Sequence, residues 1–282
     1  MTHYDNYRQL WQALLPHYDE REAKAVVRTL LEERFGLTLT DIVCDGVAHL
    51  DTAQQAELQG MMVRLERGEP IQYVVGHAPF CGRHFHVEPG VLIPRPETQQ
   101  LVELAVEEMS GNAAKNVLDI GTGSGCIAIS MALDAPQTKV SAWDISLDAL
   151  HIAQGNATSL HATVDFQQQD ALHAPMSDVE KWDLIVSNPP YVMEKERTEM
   201  DDNVLRYEPS LALFVPDDDP LRFYRAIARY GKRALQRGGT LLFEINPLLA
   251  EAMLRLLEEE SYQHVQLIAD VYGKSRFTKA TI

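Results

Sequence analysis

Asn116-Val117-Leu118-Asp119-Ile120-Gly121-Thr122-Gly123-Ser124-Gly125 runs from a short apolar strand pattern into three alternating glycines, and a helical pattern from Cys126 to Leu133 follows at once. Glycine lets the backbone turn sharply and approach a ligand closely, which a strand-to-helix loop at the rim of an open α/β sheet requires. The stretch is not the full GxGxxG dinucleotide pattern. It is shorter, and Asp119 precedes the glycines on the strand, where a carboxylate receives an ammonium group directly or through water and a pyrophosphate gains nothing. A second acid, Asp144, ends the next strand pattern, about 20 residues past the glycines, the distance at which a carboxylate takes two hydrogen bonds from ribose hydroxyls. Asp170 ends the third strand pattern and is placed to border an adenine amine.

Outward from the loop, helical and strand patterns alternate. Thr98 to Met109 carries Leu101, Val102, Leu104, Ala105 and Val106 at helical spacing; Lys139 to Trp143 is a strand followed by a helix that Ser146 caps. Val164 to Gln168, Asp183 to Ser187 and Thr240 to Ile245 read as further strands, with helices around Leu221 to Leu235 and from Leu248 to Glu259, and a final β pair. Such alternation predicts a mostly parallel, doubly wound α/β sheet.

Towards the amino terminus the period changes. Residues 4 to about 69 read as a small helical bundle: Tyr7, Leu10, Trp11, Leu14 and Leu15 share one helical face, and Ala23, Val26, Val27, Leu30 and Leu31 another, closed by Gly36. A third segment after Asp51-Thr52 bears Leu58, Met61, Met62 and Leu65, and Gly68 and Pro70 stop it. From Pro70 to about Arg95, short β-like stretches (Ile71 to Val75, His84 to Val87) separated by glycines and prolines predict a connecting hairpin. The expected organisation is a helical domain over 1–69, a hairpin linker over 70–94 and a sheet-bearing catalytic domain over 95–282. His84 and His86 alternate on one face of the hairpin, but no third ligand stands at a convincing spacing, so no metal site is expected.

A chain of 282 residues with 45% hydrophobic content can bury a sizeable core. No apolar run reaches the ~18 residues of a membrane span, and residues 1–8 lack a basic stretch followed by an apolar core, so a cytoplasmic location without membrane attachment is expected. Cys44, Cys81 and Cys126 lie far apart with no CxxC pair, which suggests neither a disulfide framework nor a zinc site. The formal net charge of −16 disfavours avid binding to a phosphate backbone, so nucleic acid is not expected as a direct substrate.

The strand Asp183 to Ser187 ends in Asn188-Pro189-Pro190-Tyr191. A double proline cannot continue a central strand, so the chain leaves the sheet at its carboxyl end, where such sheets bind ligands. Asn188, preceding a proline, is held extended with its side-chain oxygen available to accept a hydrogen bond, and its own carbonyl or that of Pro189 offers a second acceptor. Two converging acceptors beside the flat ring of Tyr191 suit a planar NH2 group, either a carboxamide or an exocyclic base amine.

Together these residues resemble the class I S-adenosylmethionine-dependent methyltransferases, which have a Rossmann-like, mostly parallel seven-stranded sheet. The resemblance implies that Asp119, Gly121, Thr122, Gly123, Ser124, Gly125, Asp144, Asp170, Ala171 and Asn188 bind the cofactor. Asn188 to Tyr191 narrows it to enzymes acting on planar nitrogen. Gly90-Val91-Leu92-Ile93-Pro94-Arg95-Pro96-Glu97-Thr98, with the helical amino-terminal domain, is similar to the release-factor glutamine methyltransferases, and this resemblance covers essentially the whole chain. It implies N5-methylation of the glutamine in the Gly-Gly-Gln loop of peptide chain release factors, with Asn188, Pro189, Pro190 and Tyr191 catalytic and substrate-binding and Arg95 and Glu97 shaping the substrate side. A monomer is expected. Two positions depart from the family pattern: Ala171 stands where a large residue, commonly Trp, borders the adenine, and Glu244-Ile245-Asn246-Pro247 replaces a Glu-Ile-Gly stretch. Phe166 or Leu172 would then fill the space beside the adenine. The rival readings are an adenine-N6 nucleic-acid methyltransferase, a ribosomal-protein glutamine methyltransferase and a non-catalytic cofactor-binding scaffold.

Overall fold

The computed structural model describes Tyr4, residues 6–110 and residues 115–282. Met1 to His3 and Asp5, part of the amino-terminal reading above, lie outside the described residues. The chain divides into two compact units: the described residues through His77 together with Asp201–Tyr207, and Ala78–Met200 together with Glu208–Ile282.

The first unit is helical, with α1 (Tyr7–Ala13), α2 (Glu20–Phe35), α3 (Leu39–Val43), α4 (Thr52–Leu65) and α5 (Ile71–Val75). Local chemistry fixes the helix ends. Asp19 caps α2 by accepting from the Glu22 N–H at 2.8 Å, and Gly36 ends it at φ 65°. Reciprocal capping boxes open α3 (Thr38 with Asp41) and α4 (Asp51 with Gln54). Leu10, Leu14, Val27, Leu30, Leu31, Leu58, Met62 and Leu65 form its core, each no more than 1% exposed.

One expectation fails here. Ile71 to Val75 is the helix α5, where β-branched and aromatic residues predicted a strand. Pro70 begins the turn and its carbonyl accepts from the Tyr73 and Val74 N–H groups, while Gly76 at φ 82° stops it. Burial of Tyr73 and Val74 and these two end signals override a weak strand propensity. The β hairpin is therefore shorter than expected: β1 (His77–Phe80) and β2 (Arg83–His86), joined through Cys81 at φ 47° and Gly82 at φ 69°. Two consecutive positive φ angles match the hand of the strands.

The second unit carries α6 (Thr98–Glu108), β3 (Lys115–Ile120), α7 (Cys126–Asp134), β4 (Thr138–Asp144), α8 (Leu147–Ser159), β5 (Val164–Gln168) and β6 (Trp182–Ser187). After a two-residue strand, β7 (Val192–Met193), and α9 (Asp202–Tyr207), which belongs to the first unit, come α10 (Ser210–Leu213) and β8 (Phe214–Val215), paired in parallel with β7. Next are α11 (Arg222–Ala234), β9 (Leu235–Glu244), α12 (Ala250–Glu259), β10 (Gln263–Ala269) and β11 (Ser275–Thr281). The seven-stranded sheet has the order β10-β11-β9-β6-β3-β4-β5, parallel except for the antiparallel pairs that β11 makes with β9 and β10.

Strand residues alternate between two buried faces. Val117, Val140, Leu184, Val186 and Leu242 pack with Leu101, Val102 and Ile127 of α6 and α7. Leu118, Ile120, Ile185, Leu241 and Phe243 pack on the other side with Tyr224, Ile227, Met253 and Leu257 of α11 and α12. A sheet buried on both faces explains the near-continuous apolar strands. From β3 the order runs outward through β4 to β5 and then restarts on the opposite side with β6. The crevice beyond the carboxyl ends of β3 and β6 is this topological switch point, the place where open α/β sheets bind ligands.

Candidate active site

Two strand ends meet at that crevice. Ser187, the last residue of β6, donates its hydroxyl to the Ile120 carbonyl at the end of β3 at 2.6 Å. This bond holds the exit of Asn188 beside the glycine loop. The loop is itself tied to β4, because the Gly121 and Thr122 N–H groups both donate to the Trp143 carbonyl, at 2.8 and 2.9 Å.

Gly121, Gly123 and Gly125 all have positive φ, at 78°, 54° and 82°. The three serve different purposes. A Cβ on Gly121 or Gly123 would meet nothing within 4 Å, whereas one on Gly125 would lie 2.8 Å from Ile129 Cδ1 and 3.1 Å from Ala153 Cβ. Gly125 therefore lets α7 pack against α8, and the first two glycines leave space open in front of the loop. Asn156, 3% exposed, braces the loop from behind: its Nδ2 donates to the Ser124 carbonyl at 2.9 Å and to the His86 carbonyl at 3.0 Å, and its Oδ1 accepts from the His86 N–H at 2.7 Å.

The open space is a cavity of about 320 Å³, within the usual size of a small-molecule site. Of the sequence-predicted residues, Gly121, Gly123, Asp144, Asp170, Ala171, Asn188, Pro189 and Pro190 line it. Asp119, Thr122, Ser124, Gly125, Tyr191, Arg95 and Glu97 do not. Most of the lining is apolar, including Ile145, Leu172, Phe223 and Ile227, and the acids sit among these groups as a nucleoside requires.

Asp144 is anchored by two backbone donors: its Oδ2 accepts from Gly123 N–H and its Oδ1 from Ser146 N–H, each at 2.9 Å. Each oxygen keeps a further lone pair for a hydroxyl. Burial pushes its pKa up, against the lowering effect of those N–H groups. For Asp170, burial works against the charge, but hydrogen bonds from His173 and the Leu172 N–H outweigh it and hold the carboxyl below its usual range. Asp119 is wholly buried and accepts from the Thr122 hydroxyl at 2.7 Å. Desolvation pushes it up to about 7. It buttresses the loop from beneath, and the cavity wall in front of it is made by Gly121 and Gly123.

Two side-chain roles differ from expectation. Tyr191 is not a cavity wall; its hydroxyl donates to Glu244 Oε1 at 3.2 Å, and burial raises its pKa. Arg95 pairs with the buried Glu208 at 2.7 Å, and Glu208 also accepts from the Ile93 N–H, so Arg95 fastens the segment before α6 instead of facing the cavity. Glu97 stands half-buried at the N-cap of α6. Beside the expected adenine position, Ala171 and Leu172 both line the cavity while Phe166 packs into the core, so Leu172 and not Phe166 takes up the space.

No local sequence signal marks Phe223, Arg222 and Ile227, which line the cavity from α11 and read as part of an ordinary amphipathic helix. Gly90, Val91 and Leu92 also line it, upstream of Arg95 and Glu97. Asn246 stands where the chain departs from the family pattern. Its Nδ2 donates to the Tyr191 carbonyl at 3.2 Å and to Glu196 at 2.9 Å, so it clamps the far end of the Asn188 to Tyr191 segment.

An arrangement of glycine loop, ribose-type acid and amide acceptor at a switch point fits a nucleoside-bearing cofactor beside a planar NH2 substrate. Comparison with known proteins agrees. The methyltransferase small domain family matches residues 85–206, and the PrmC N-terminal domain family matches residues 7–76. A release factor glutamine methyltransferase of Bacteroides thetaiotaomicron is 49% identical over 95% of this chain and 96% of its own length. One from Flavobacterium psychrophilum is 42% identical over 97% of each chain. Among solved structures, a methyltransferase from Pyrococcus furiosus, 15% identical, matches 82% of this chain and 98% of its own at a TM-score of 0.51, a likeness of fold alone. The identity and the coverage together place the chain in the release factor glutamine methyltransferase family.

Proposed function

We infer that the protein transfers a methyl group from S-adenosylmethionine to the side-chain nitrogen of a glutamine in peptide chain release factors, the glutamine of their Gly-Gly-Gln loop. The observation that carries this reading is the state of Asn188. Its Nδ2 is committed to Thr98 at 3.3 Å, which leaves Oδ1 as the free acceptor at the mouth of the glycine-lined cavity.

When bound, S-adenosylmethionine supplies an electrophilic methyl group on a sulfonium. Gly121 and Gly123 would give it room, Asp144 would accept from its ribose, and Ile145, Ala171 and Leu172 would flank its base. A glutamine amide is a poor nucleophile because its lone pair is delocalised into the carbonyl, and its proton is too weakly acidic for any side-chain base to remove beforehand. Asn188 Oδ1 and a proline backbone carbonyl accept from the two N–H bonds, favour pyramidal nitrogen and aim the lone pair for in-line displacement. The contribution is positioning and electrostatics, which supply many powers of ten when the geometry is held. The methylated nitrogen loses its proton to solvent afterwards, so no general base is needed. The first unit, whose helices match the PrmC N-terminal domain, is assigned to recognition of the release factor. The protein acts as a cytoplasmic monomer; none of the described helices is long and apolar enough to cross a membrane.

Methyl transfer to purified release factor, read by the mass of its Gly-Gly-Gln peptide, tests the assignment. Asn188→Ala is expected to abolish turnover while calorimetric affinity for S-adenosylmethionine stays close to that of the parent protein. A parallel loss of cofactor affinity would make Asn188 chiefly a cofactor contact and overturn its role with the amide.

A further inference from the structure

Behind Asn188 lies a chain of buried polar groups that the transfer chemistry does not itself use. Asn188 Nδ2 is 3.3 Å from Thr98 Oγ1, Thr98 Oγ1 is 2.7 Å from Glu244 Oε2, and Glu244 Oε1 accepts from the Tyr191 hydroxyl at 3.2 Å. Thr98 is 2% exposed and Glu244 1%, so water does not compete for these bonds. We propose that Thr98 and Glu244 are positioning residues that set the polarity of the Asn188 carboxamide and so determine which end of it meets the substrate.

The available protons decide the direction of each bond. An ionised carboxylate only accepts, and a hydroxyl has one hydrogen to give. Thr98 gives its hydrogen to Glu244, so only lone pairs remain on Oγ1 for Asn188. Lone pairs select the NH2 end of the amide and repel its oxygen. The two ends are nearly equal in size, so packing alone does not distinguish them, and the hydrogen-bond partner must. With NH2 held towards Thr98, the oxygen is turned to the cavity. The opposite rotamer would present hydrogen atoms to a substrate NH2, donor against donor.

Glu244 also receives the Tyr191 hydroxyl, so one buried carboxyl group is tied to Tyr191 directly and to Asn188 through Thr98, the last and the first residue of Asn188-Pro189-Pro190-Tyr191. Its location explains how three distant segments cooperate. Thr98 opens α6, Glu244 ends β9 and Asn188 follows β6, and β6 and β9 are parallel neighbours whose carboxyl ends lie side by side. Burial raises the Glu244 pKa, while its hydrogen bonds to Thr98 and Tyr191 and the charge of Arg276 favour the ionised form that the proton count requires.

The inference rests on the reading that Asn188 Oδ1 accepts from the substrate amide, and four variants of the full chain separate the two claims. Thr98→Val removes the acceptor but keeps the shape. It is expected to lower kcat for release factor methylation by about tenfold to a hundredfold, the scale of a misplaced reacting group, with KM for S-adenosylmethionine changed by less than about twofold. Thr98→Ser restores the hydroxyl and is expected to return kcat to within about threefold of the parent. Glu244→Gln, whose amide serves Thr98 with either end, is expected to lose about tenfold in kcat. An inactive Asn188→Ala beside an unimpaired Thr98→Val overturns the relay and leaves the amide reading intact. Full activity in Asn188→Ala overturns the amide reading itself. If Thr98→Val fails to fold, Glu244→Gln decides, and unchanged kcat there refutes the proposal.

Discussion

Gly121→Ala and Gly125→Ala introduce the same methyl group four residues apart in one loop, and the structure assigns them opposite consequences. Both residues have φ near 80°, where a Cβ costs roughly 1–2 kcal/mol. At Gly121 that strain is the whole penalty to the free protein, because the added carbon would meet nothing within 4 Å. At Gly125 the carbon would press on Ile129 Cδ1 at 2.8 Å and Ala153 Cβ at 3.1 Å. The first contact is relieved by a rotation of the isoleucine tip, but the second is relieved only by separating α7 from α8. Overpacking of this kind adds about 1–3 kcal/mol. With about 2–4 °C of melting temperature per kcal/mol in a chain of this size, Gly125→Ala is expected to melt about 2–12 °C below Gly121→Ala. Cofactor affinity should rank the other way. The Gly121 methyl group enters the space that a ligand needs, and even a modest misfit of about 1.4 kcal/mol weakens binding tenfold. Thermal unfolding followed by circular dichroism and calorimetric titration with S-adenosylmethionine measure the two quantities on the same samples. If Gly121→Ala binds as tightly as the parent, the loop is only a turn; if Gly125→Ala is the more stable of the two, the packing argument is wrong.

Two further expectations concern the scaffold of the site. Asp119 has a folded-state pKa raised to about 7 by burial, so its contribution to stability is fully present below the ordinary value of 3.8 and is lost as pH rises through about 7. Between about pH 5 and 7 it should remove roughly 1 kcal/mol of stability per pH unit, a slope that Asp119→Asn abolishes, and urea titrations at pH 5 and 8 that show equal slopes in both proteins would refute this. Asn156→Ala deletes three hydrogen bonds that join β2, α8 and the glycine loop, and should cost about 2–4 kcal/mol in urea unfolding; a loss below about 0.5 kcal/mol would show that the bracket is redundant.

What the sequence made legible was local. The glycine loop, Asp144 and the Asn188 to Tyr191 segment announce themselves because glycine, proline and a carboxylate at a strand end have few other uses. Residues 71–75 mislead because Tyr73, Val74 and Val75 carry a strand-like composition while Pro70 and Gly76 carry the helix signals. Tyr191 was read as a flat platform for the substrate, yet its hydroxyl is turned to a glutamate 53 residues away. Thr98 and Glu244 are 146 positions apart, and neither residue type marks the pairing; only the packing of α6 against β9 makes it. Phe223 and Ile227 are invisible in the sequence for a similar reason, since an apolar residue facing a cavity and one facing a core obey the same periodicity.

The place of β11 in the sheet has a bearing on how the chain survives its own synthesis. The last strand in the sequence does not lie at the rim; it slots between β9 and β10 and pairs with both. Until those residues leave the ribosome, β9 stands as a bare edge of ten residues, with Leu241, Leu242 and Phe243 towards its carboxyl end. An unpaired apolar edge is a template for adding a foreign strand. A nascent chain that stalls before Ser275 therefore carries both an incomplete sheet and an aggregation hazard. Prompt completion of its own translation therefore bears directly on its solubility.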